Sequence, residues 1–357
     1  LTGECRFTNL YWCSPFGETY KDPCDFNTCS DCNFSEAPLW YASVEAVALA
    51  RDQKDDLAFA TLGAGGPVVL DTGDIKTEFD AGMRLLMGVT LTDVFRLEGS
   101  YLGSFEWSGR AAVRNGDDNG QGGFGNLFAP FSNFGTPVGF LGTDFNDFAS
   151  IDLASSFHSG EINLRRRLII PRNAWPKEQV PCYAASFLMG LRYLKLDEHF
   201  GYLSNSTVPA GGSVNLANID TSNEMFGAQI GLLSQFLLKG QGWIDFDVKG
   251  GIYQNQASMR SAYSNTDLGG GPVAAFTGTD ARDRTAFLGE LSLTYNRQLT
   301  THMSCRLGYN AFWLTGVALA SQNLNTDLNL LALGPAQLDH SGDLVMHGPS
   351  FGLTFAY

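Results

Sequence analysis

The chain has 357 residues, of which 44% are hydrophobic and 12% aromatic, and its formal net charge is −14. This length supports a large core or more than one domain. The acidic balance argues against nucleic acid as a partner, because phosphate contacts need clusters of Lys and Arg, and only residues 165–167 form such a run. Glycine (41 residues) and phenylalanine (26 residues) are abundant, which is typical of strands and turns rather than of helices.

Residues 1–37 form a segment distinct from the rest of the chain. Five of the seven cysteines lie here, in a stretch rich in Pro, Asp and Asn that lacks a core. Such clustering predicts a disulfide-stapled cap in an exported protein. A zinc site built from Cys24, Cys29, Cys32 and one further ligand is the weaker alternative, because the spacing matches no standard pair of C-x₂-C motifs.

Period-two alternation of apolar and polar residues dominates residues 38–357, which we interpret as one β-barrel domain. In residues 40–51 the even positions are apolar, whereas the odd positions include Glu45 and Arg51. Nine further segments alternate in the same way. They are 79–91, 95–107, 148–166, 186–194, 225–233, 243–253, 286–295, 303–313 and 350–357. The sequence therefore predicts an all-β protein of about ten antiparallel strands, with twelve as the alternative.

One predicted strand, 148–166, changes the phase of its alternation near Ser159 and Gly160, which predicts a β-bulge.

The predicted connections alternate in length. Short turns lie at 92–93, 239–242 and 298–301, and an intermediate connection lies at 167–182. Long loops rich in Gly, Asn and Asp lie at 52–77, 108–146, 206–221, 256–281 and 319–343. Outer-membrane barrels have this asymmetry, with short periplasmic turns and long external loops.

A soluble β-sandwich or a lipocalin-like barrel would show the same alternation with its apolar face inward. Three features favour an up-and-down transmembrane barrel instead. Aromatic residues recur near strand ends on the apolar faces, as in interfacial girdles. The polar faces carry balanced charges, as a narrow lumen requires. The last strand, with Phe351 and Phe355 on its apolar face, would close the ring by pairing with the first. The girdle residues are Trp40, Trp107, Trp243, Trp313, Tyr295 and Tyr357.

The charged residues of the polar faces define a predicted lumen network. We expect structural ion pairs there, because the interior of a barrel this narrow is nearly filled; a constriction selecting small ions is the alternative. His158 is expected to pair with a carboxylate in the lumen rather than to act in catalysis, and no enzyme, metal or cofactor is predicted. The network consists of Glu45, Asp80, Arg84, Arg96, Glu98, Asp152, His158, Glu161, Arg165, Arg192, Asp245, Asp247, Lys249, Glu290 and Arg306.

The loop 108–146 is unusually aromatic for a connection. A loop of this kind should not lie bare in water. We expect it to contact a partner, either a surface protein or a second copy of the chain; packing across the barrel mouth is the alternative. The rings are Phe124, Phe128, Phe131, Phe134, Phe140 and Phe145.

Several phrases make the chain similar to a known family. FHSGEINLRRR (157–167), SFLMGLRYLKLDEHFGY (186–202) and HGPSFGL (347–353) resemble a planctomycete outer-membrane β-barrel family, labelled as the seventh group of β-barrel porins. NEMFGAQIGL (223–232), GYNAFWLTGVALA (308–320) and the opening LWYASVEAVALARD (39–52) add to the resemblance. It extends from about residue 38 to the C-terminus and carries over no catalytic residue. It implies an integral outer-membrane barrel with a porin label.

The predicted topology places both termini and the connection 167–182 in the periplasm, because the strand number is even. Cys182 would then reach the N-terminal cysteines, whereas Cys305 would remain free on an apolar face. The disulfide candidates are Cys5, Cys13, Cys24, Cys29, Cys32 and Cys182. Two functions remain: a porin-like barrel whose narrow charged lumen passes at most small solutes or ions, or a structural or assembly barrel that presents large surface loops to partner proteins.

Overall fold

The computed structural model describes residues 38–53, 56–76, 78–92, 94–115, 125–136, 144–168, 183–206, 212–238, 242–267, 271–326 and 337–357. Thirteen strands lie in these ranges. They are β1 (Trp40–Gln53), β2 (Ala58–Leu62), β3 (Val68–Asp71), β4 (Asp80–Thr90), β5 (Phe95–Arg114), β6 (Leu127–Phe128), β7 (Phe148–Leu168), β8 (Tyr183–Ser206), β9 (Ser213–Leu238), β10 (Gly242–Asp267), β11 (Gly271–Gln298), β12 (Met303–Val317) and β13 (Gly342–Ala356).

Ten of these strands close into an antiparallel barrel in the order β1-β13-β12-β11-β10-β9-β8-β7-β5-β4. The first strand pairs with the last as well as with β4, so Val44 lies opposite both Leu353 and Leu85. The predicted ten-stranded barrel and its closure by the C-terminal strand are confirmed. The remaining three strands lie in the connections between barrel strands. They form a separate small sheet in the order β3-β2-β6.

The barrel has two unlike ends. β1 begins and β13 finishes at one end, here called the terminal end. The small sheet belongs to the connections β1–β4 and β5–β7, and therefore lies at the opposite end, here called the lid end. The helices of the described residues are short 3₁₀ turns such as Thr72–Asp74, and none of them is long and apolar enough to cross a membrane.

The predicted loops at 206–221 and 256–281 are wrong. These residues belong largely to strands, because β8, β9, β10 and β11 are 24 to 28 residues long. A tilted strand crosses a bilayer with roughly 9–11 residues. The barrel wall therefore continues well past the membrane at the lid end. Likewise β5 continues to Arg114, so the aromatic connection is shorter than the predicted 108–146.

The outward face of β9 shows where the membrane ends. On this face Phe226, Ile230 and Phe236 are apolar and exposed, and Ile230 lies near the middle of the stretch; its one polar residue, Ser234, is buried. Beyond it, towards the lid end, Asp220 points outward while Ile219 is buried inside. The alternation therefore inverts along one continuous strand, because the surroundings change from lipid outside to water outside. These polar extensions resemble loops in sequence because their outward face is rich in Asp, Asn and Ser.

The predicted bulge near Ser159 and Gly160 is also wrong. β7 keeps one register against β8 from Phe148 to Leu168. What changes along β7 is the inward surroundings, which are apolar around Phe157 and polar around Arg165. The register shift lies on the neighbouring strand β5, between Leu102 and Phe105. There Ser104 adopts a left-handed backbone with φ of 67°.

The aromatic girdle is only partly where the sequence places it. Trp40, Trp313, Tyr295 and Tyr357 are exposed on the outer face. Trp107 and Trp243 are buried inside, at 3% and 6% exposure. The β5 irregularity before Trp107 reverses which residues face inward, and the Trp107 indole N–H donates to the Leu49 carbonyl oxygen (2.8 Å). Trp243 lies two and four positions before the inward residues Asp245 and Asp247 on β10, so it faces inward as well.

The apolar band yields a stability prediction. Ile230→Arg places a charge near the middle of the band and should lower the free energy of unfolding by about 2–4 kcal/mol. Asn218→Arg lies on the same outward face of β9, beyond the band, and should change it by less than about 0.5 kcal/mol. Urea unfolding of both variants in lipid vesicles measures the difference. Equal costs at the two positions would contradict the assigned band.

Candidate functional site

The terminal half of the interior is charged, and its centre is a four-membered cluster. An Arg192 guanidinium nitrogen lies 2.7 Å from a Glu290 carboxylate oxygen and 3.8 Å from Glu161. The Lys249 ammonium lies 2.9 Å from Glu161 and 3.7 Å from Glu290. All four side chains are almost wholly buried. Because each acid contacts both bases, the four groups compensate one another across strands β7, β8, β10 and β11.

A second group of ion pairs extends this cluster to β1, β4 and β12. Arg84 lies 3.6 Å from Glu45 and 3.6 Å from Glu290, and it donates a hydrogen bond to the Asn310 side-chain oxygen (3.0 Å). Arg306 lies 3.3 Å from Glu45 on its other side. The charged groups therefore bridge opposite parts of the wall.

The network also includes carboxylates nearer the terminal end. Glu98 pairs with Arg165 at 2.8 Å and accepts a hydrogen bond from the Tyr41 hydroxyl. Asp245 accepts hydrogen bonds from the side-chain amides of Gln235 (2.8 Å) and Asn296 (2.9 Å). Side-chain amides can donate hydrogen bonds to a carboxylate in place of a cation. Glu98 and Asp245 therefore both have hydrogen-bond donors.

Most residues of the predicted lumen network face inward. This set is Glu45, Arg84, Arg96, Glu98, Glu161, Arg165, Arg192, Asp245, Asp247, Lys249, Glu290 and Arg306. Asp80 has inward parity on β4 but joins none of the described ion pairs; it accepts a hydrogen bond from the Glu106 backbone nitrogen (2.5 Å).

Two members of the predicted network, Asp152 and His158, lie on the outer face, so their placement in the lumen is wrong. The odd residues of β7 face inward along its whole length, and both residues are even. The assumed bulge is the reason for the error. The His158 imidazole instead hydrogen-bonds with the outward Tyr101 hydroxyl (2.8 Å). Asp152 lies 3.9 Å from His199, whose other ring nitrogen is 2.7 Å from Asp220.

An apolar layer closes the barrel above the charged half. Nine of the ten barrel strands contribute to this cluster, and none of its members is more than 4% exposed. The apolar layer consists of Val47, Leu49, Leu102, Phe105, Trp107, Phe157, Leu194, Leu196, Met225, Tyr253, Ala286, Leu288, Phe312, Leu314, Val317, Leu319, Leu344 and Met346. Such a layer leaves little room for water across the section of the barrel that it fills.

The start of the β12–β13 connection turns inward and is held against this layer. The Ala318 backbone nitrogen donates to the Asn223 side-chain oxygen (2.8 Å), and the Asn223 side-chain nitrogen donates back to the Ala318 carbonyl (2.9 Å). The Ala320 backbone nitrogen donates to Glu198 (2.9 Å), which pairs with the buried Arg51. This insertion is absent from the predicted topology. Its signal is the apolar stretch 317–320, which continues into the start of the predicted loop 319–343.

The small sheet and the aromatic connection form a lid over the mouth. Phe59 packs against Phe200 with ring centroids 4.9 Å apart, and Phe131 packs against Tyr202 (5.6 Å) and Tyr263 (5.0 Å). Asp280 on β11 also anchors the lid. The hydrogen bond from the Leu338 backbone nitrogen, together with those from Ala281 and Arg282, holds the pKa of its carboxyl below the usual value.

The expected partner contact through loop 108–146 is wrong for Phe128 and Phe131, which are buried in the lid. Phe145 is half-buried, with its ring 5.1 Å from that of Phe128, and Phe134 is half-buried as well. Folding the rings into the barrel's own mouth removes their apolar area from water without a partner. Phe124 and Phe140 lie outside the described residues.

The outer wall between the apolar band and the lid is concave. The depression has a volume of about 990 Å³, and its outward-facing lining includes Asp197, His199, Asp220, Ser222 and Arg260. This surface extends from Glu106 on β5 to Thr279 on β11, and part of it lies in the predicted loops 206–221 and 256–281.

The predicted disulfide cysteines lie outside the described residues. Cys305 is free and half-buried on the outward face of β12. Within the ranges that the structure describes, no group of three His, Cys, Asp or Glu side chains is arranged to hold a metal ion.

Closed antiparallel strands, an outward apolar band and a charged interior define an integral outer-membrane β-barrel. The family model described as "Putative beta barrel porin-7 (BBP7)" matches residues 40–357, and the chain belongs to this family. The predicted family is thereby confirmed. No curated protein matches the chain.

Solved structures share the barrel architecture at low sequence identity. The outer membrane protease OmpT from Escherichia coli is 13% identical, with a TM-score of 0.46; the match covers 92% of this chain and 99% of that one. The translocator domain of the autotransporter NalP from Neisseria meningitidis is 8% identical (TM-score 0.34, 90% of each chain). A Pseudomonas aeruginosa FadL homologue is 11% identical (TM-score 0.24, 91% of each chain). These likenesses concern the fold alone.

The four-membered cluster predicts a large cost for losing one cation. Arg192→Met leaves Glu161 and Glu290 buried with one fewer partner and should lower the free energy of unfolding by about 3–5 kcal/mol. Lys195→Met, three positions along β8 on the outer face, removes only exposed pairs and should cost less than about 1 kcal/mol. Equilibrium unfolding in vesicles compares them. Similar small costs for both variants would show that the buried cluster does not stabilise the barrel.

Proposed function

We propose that this protein is a closed outer-membrane barrel that acts as a structural or assembly scaffold, and that it does not work as an open pore. The apolar layer carries this proposal. Side chains from nine strands meet in it, and all are almost wholly buried. A conducting path must hold a continuous file of water or ion ligands, and an apolar constriction of this kind dewets.

The charged half of the interior supports the same conclusion. Glu161, Glu290 and Glu45 each contact two or more cations of the wall, so their charges are already compensated. A permeating ion would have to displace a buried partner, and breaking a buried pair costs several kcal/mol. These ion pairs stabilise the interior. They are therefore poor binding sites for a permeating solute.

The extramembrane wall supports the scaffold role. Strands β8 to β11 continue past the apolar band, and their outer face forms the concave polar surface beside His199 and Asp220. A wall built from continuous strands presents side chains in fixed positions, as a docking surface requires. In this proposal partner proteins bind the wall and the lid rather than free aromatic loops. In this proposal the terminal end of the barrel faces the periplasm, so the wall faces the cell exterior.

A porin that passes small ions is the second candidate. It is favoured by the family to which the chain belongs and by a cavity of about 90 Å³ in the charged half. This candidate requires the apolar layer to open. The two proposals therefore differ in one measurable property, the ion conductance of the folded wild-type protein.

Planar-bilayer recording tests the proposal. The wild-type barrel should insert without stable conductance steps. A variant carrying Phe157→Ala, Leu194→Ala and Phe312→Ala removes bulk from the apolar layer and should produce discrete open steps. Phe351→Ala removes the same kind of side chain from the lipid-facing side and should stay silent.

Stable open steps from the wild-type protein would overturn the scaffold proposal and support the porin. If the triple variant does not fold, the wild-type recording still decides, together with a vesicle-swelling assay using small sugars. Swelling of vesicles that contain the wild-type barrel would count against a closed interior in the same way.

A further inference from the structure

The extramembrane wall ends at an uncovered strand edge on β11. On one side β11 pairs with β10 along nearly its whole length, from Gly271 to Arg297. On the other side its pairing with β12 begins only at Phe287. Near Gly316, which has a left-handed φ of 79°, the chain leaves the wall and turns into the barrel. Among the described residues, no strand therefore lies beside residues 275–283 of β11 on that side.

The odd-numbered residues of this stretch direct their backbone groups to the open side. A Cβ atom placed on Gly316 would lie 2.8 Å from the Thr285 carbonyl oxygen, so this oxygen points away from β10. In an antiparallel strand both backbone groups of one residue point to the same side, and every second residue repeats that direction. No backbone hydrogen bond between described residues reaches the edge groups of 275–283. The edge residues are all exposed: Ala275, Thr277, Thr279, Ala281 and Asp283.

The side chains of this edge leave half of it unprotected. The Ala281 backbone nitrogen donates to the Asp280 carboxylate (2.9 Å), so one edge donor is already used. From Ala275 to Thr279 no residue is charged and none is Pro. Exposed strand edges can template pairing with another chain, and natural proteins protect them with charges, with Pro or with a covering segment. The stretch 275–279 is therefore open to a pairing strand.

The other edge of the wall, on β5, is covered. The pairing of β5 with β4 extends only to Gly103. Beyond it, Asp80 accepts a hydrogen bond from the Glu106 backbone nitrogen, and Ile75 lies against Gly109. The wall thus protects one edge with a segment of its own chain and leaves the other open, which favours a binding role for the open edge.

A second copy of this chain is a poor occupant of the open edge. Two copies in one membrane point the same way, and barrel strands are tilted by roughly 35–45° from the membrane normal. Copies related by an axis along the normal would cross their β11 strands instead of placing them side by side. A copy that is shifted without rotation would offer its β5 edge, which is covered. A strand from another protein meets neither obstacle.

We propose that an extended segment of a partner protein pairs with β11 along residues 275–283 and adds a strand to the wall. This inference rests on the scaffold function proposed above and names the kind of partner that the wall takes. Main-chain hydrogen bonds to Ala275, Thr277 and Thr279 supply the affinity, as in other cases of strand addition.

Arg284 adds a charge requirement to the partner segment. Its exposed side chain lies beside the end of the open edge and contacts a ring nitrogen of His340 (2.9 Å). It forms no ion pair with any described residue, whereas Arg282 pairs with Asp280 at 3.1 Å. Opposite charges on neighbouring strands stabilise their pairing. The partner segment is therefore uncharged along 275–279 and carries an acidic residue that reaches Arg284.

Amide hydrogen exchange of the full chain in nanodiscs tests the open edge. The amides of Thr277 and Thr279 should exchange at least about a hundredfold faster than those of Phe276 and Gly278, which face β10. The probe is an eleven-residue peptide in which Thr and Val alternate and one end carries Glu. Its binding should slow exchange at Thr277 and Thr279 and leave Gly278 unchanged.

Proline variants test whether the backbone carries the binding. Thr279→Pro removes an edge donor without breaking a bond to β10, and it should weaken peptide binding about tenfold or more. Thr279→Val keeps the donor and should bind like the wild type. Arg284→Gln should weaken binding of the Glu peptide and leave binding of a Gln version of the peptide unchanged.

Slow exchange at Thr277 and Thr279 in the free protein would overturn the proposal, and so would a wild type that does not bind the peptide. Equal binding by Thr279→Pro and Thr279→Val would count against it as well, because binding would then not use the edge. If Thr279→Pro does not fold, two peptides N-methylated on alternate residues replace it. Only one set of alternate residues can face β11, so one peptide should lose binding and the other keep it; loss by both or by neither overturns strand pairing.

The conductance recording separates this inference from the scaffold proposal. A silent barrel that does not bind the peptide keeps the scaffold and removes the edge site. A conducting barrel that binds the peptide keeps the edge site and removes the scaffold.

Discussion

Hydrocarbon offers no water to the backbone, so every N–H and C=O of a membrane-spanning wall must find a partner within the wall. Pairing of β1 with both β13 and β4 satisfies this constraint at the one place where the sheet would otherwise have edges. Closure also decides the direction of every side chain. Once Val44 faces lipid, Glu45 must face the interior, and the same parity spreads from strand to strand through the register.

A closed ring of ten strands must then fill its own interior. Near the terminal end the filling consists of ion pairs around Arg192 and Lys249, which remain stable because each charge has a partner. Towards the lid end it consists of apolar side chains and the inserted segment at Ala318. The interior is thus charged along most of the apolar band, and it is apolar from the upper edge of the band, where Ile252 and Phe287 are still exposed outside, to the region where the outside is water. This inversion makes the lid half resemble a soluble protein.

The inversion also explains where sequence analysis fails. Alternation alone shows two faces, and it assigns them correctly only while the surroundings stay the same. Past the band, outward residues such as Asp220 are polar, so the sequence of these strands predicts loops. The sequence pattern places Asp152 and His158 inside only if β7 contains a bulge, whereas the irregularity lies in β5. The aromatic content of the loop predicts a partner contact for Phe128 and Phe131, whereas both rings are buried in the mouth of the same barrel.

Local pattern was sufficient for the fold class, the number of barrel strands, the closing pair and the inward position of most charged residues, because a two-residue period is a property of the strand itself. The lipid-facing positions of Phe351 and Phe355 follow from the same period. Which acid meets which base was decided only by the three-dimensional structure, since Arg192 and Glu290 are far apart in the chain and meet through strand tilt and register. The apolar layer, the inserted segment and the lid depend on contacts across the barrel, and no periodicity of a single strand encodes a contact across a lumen.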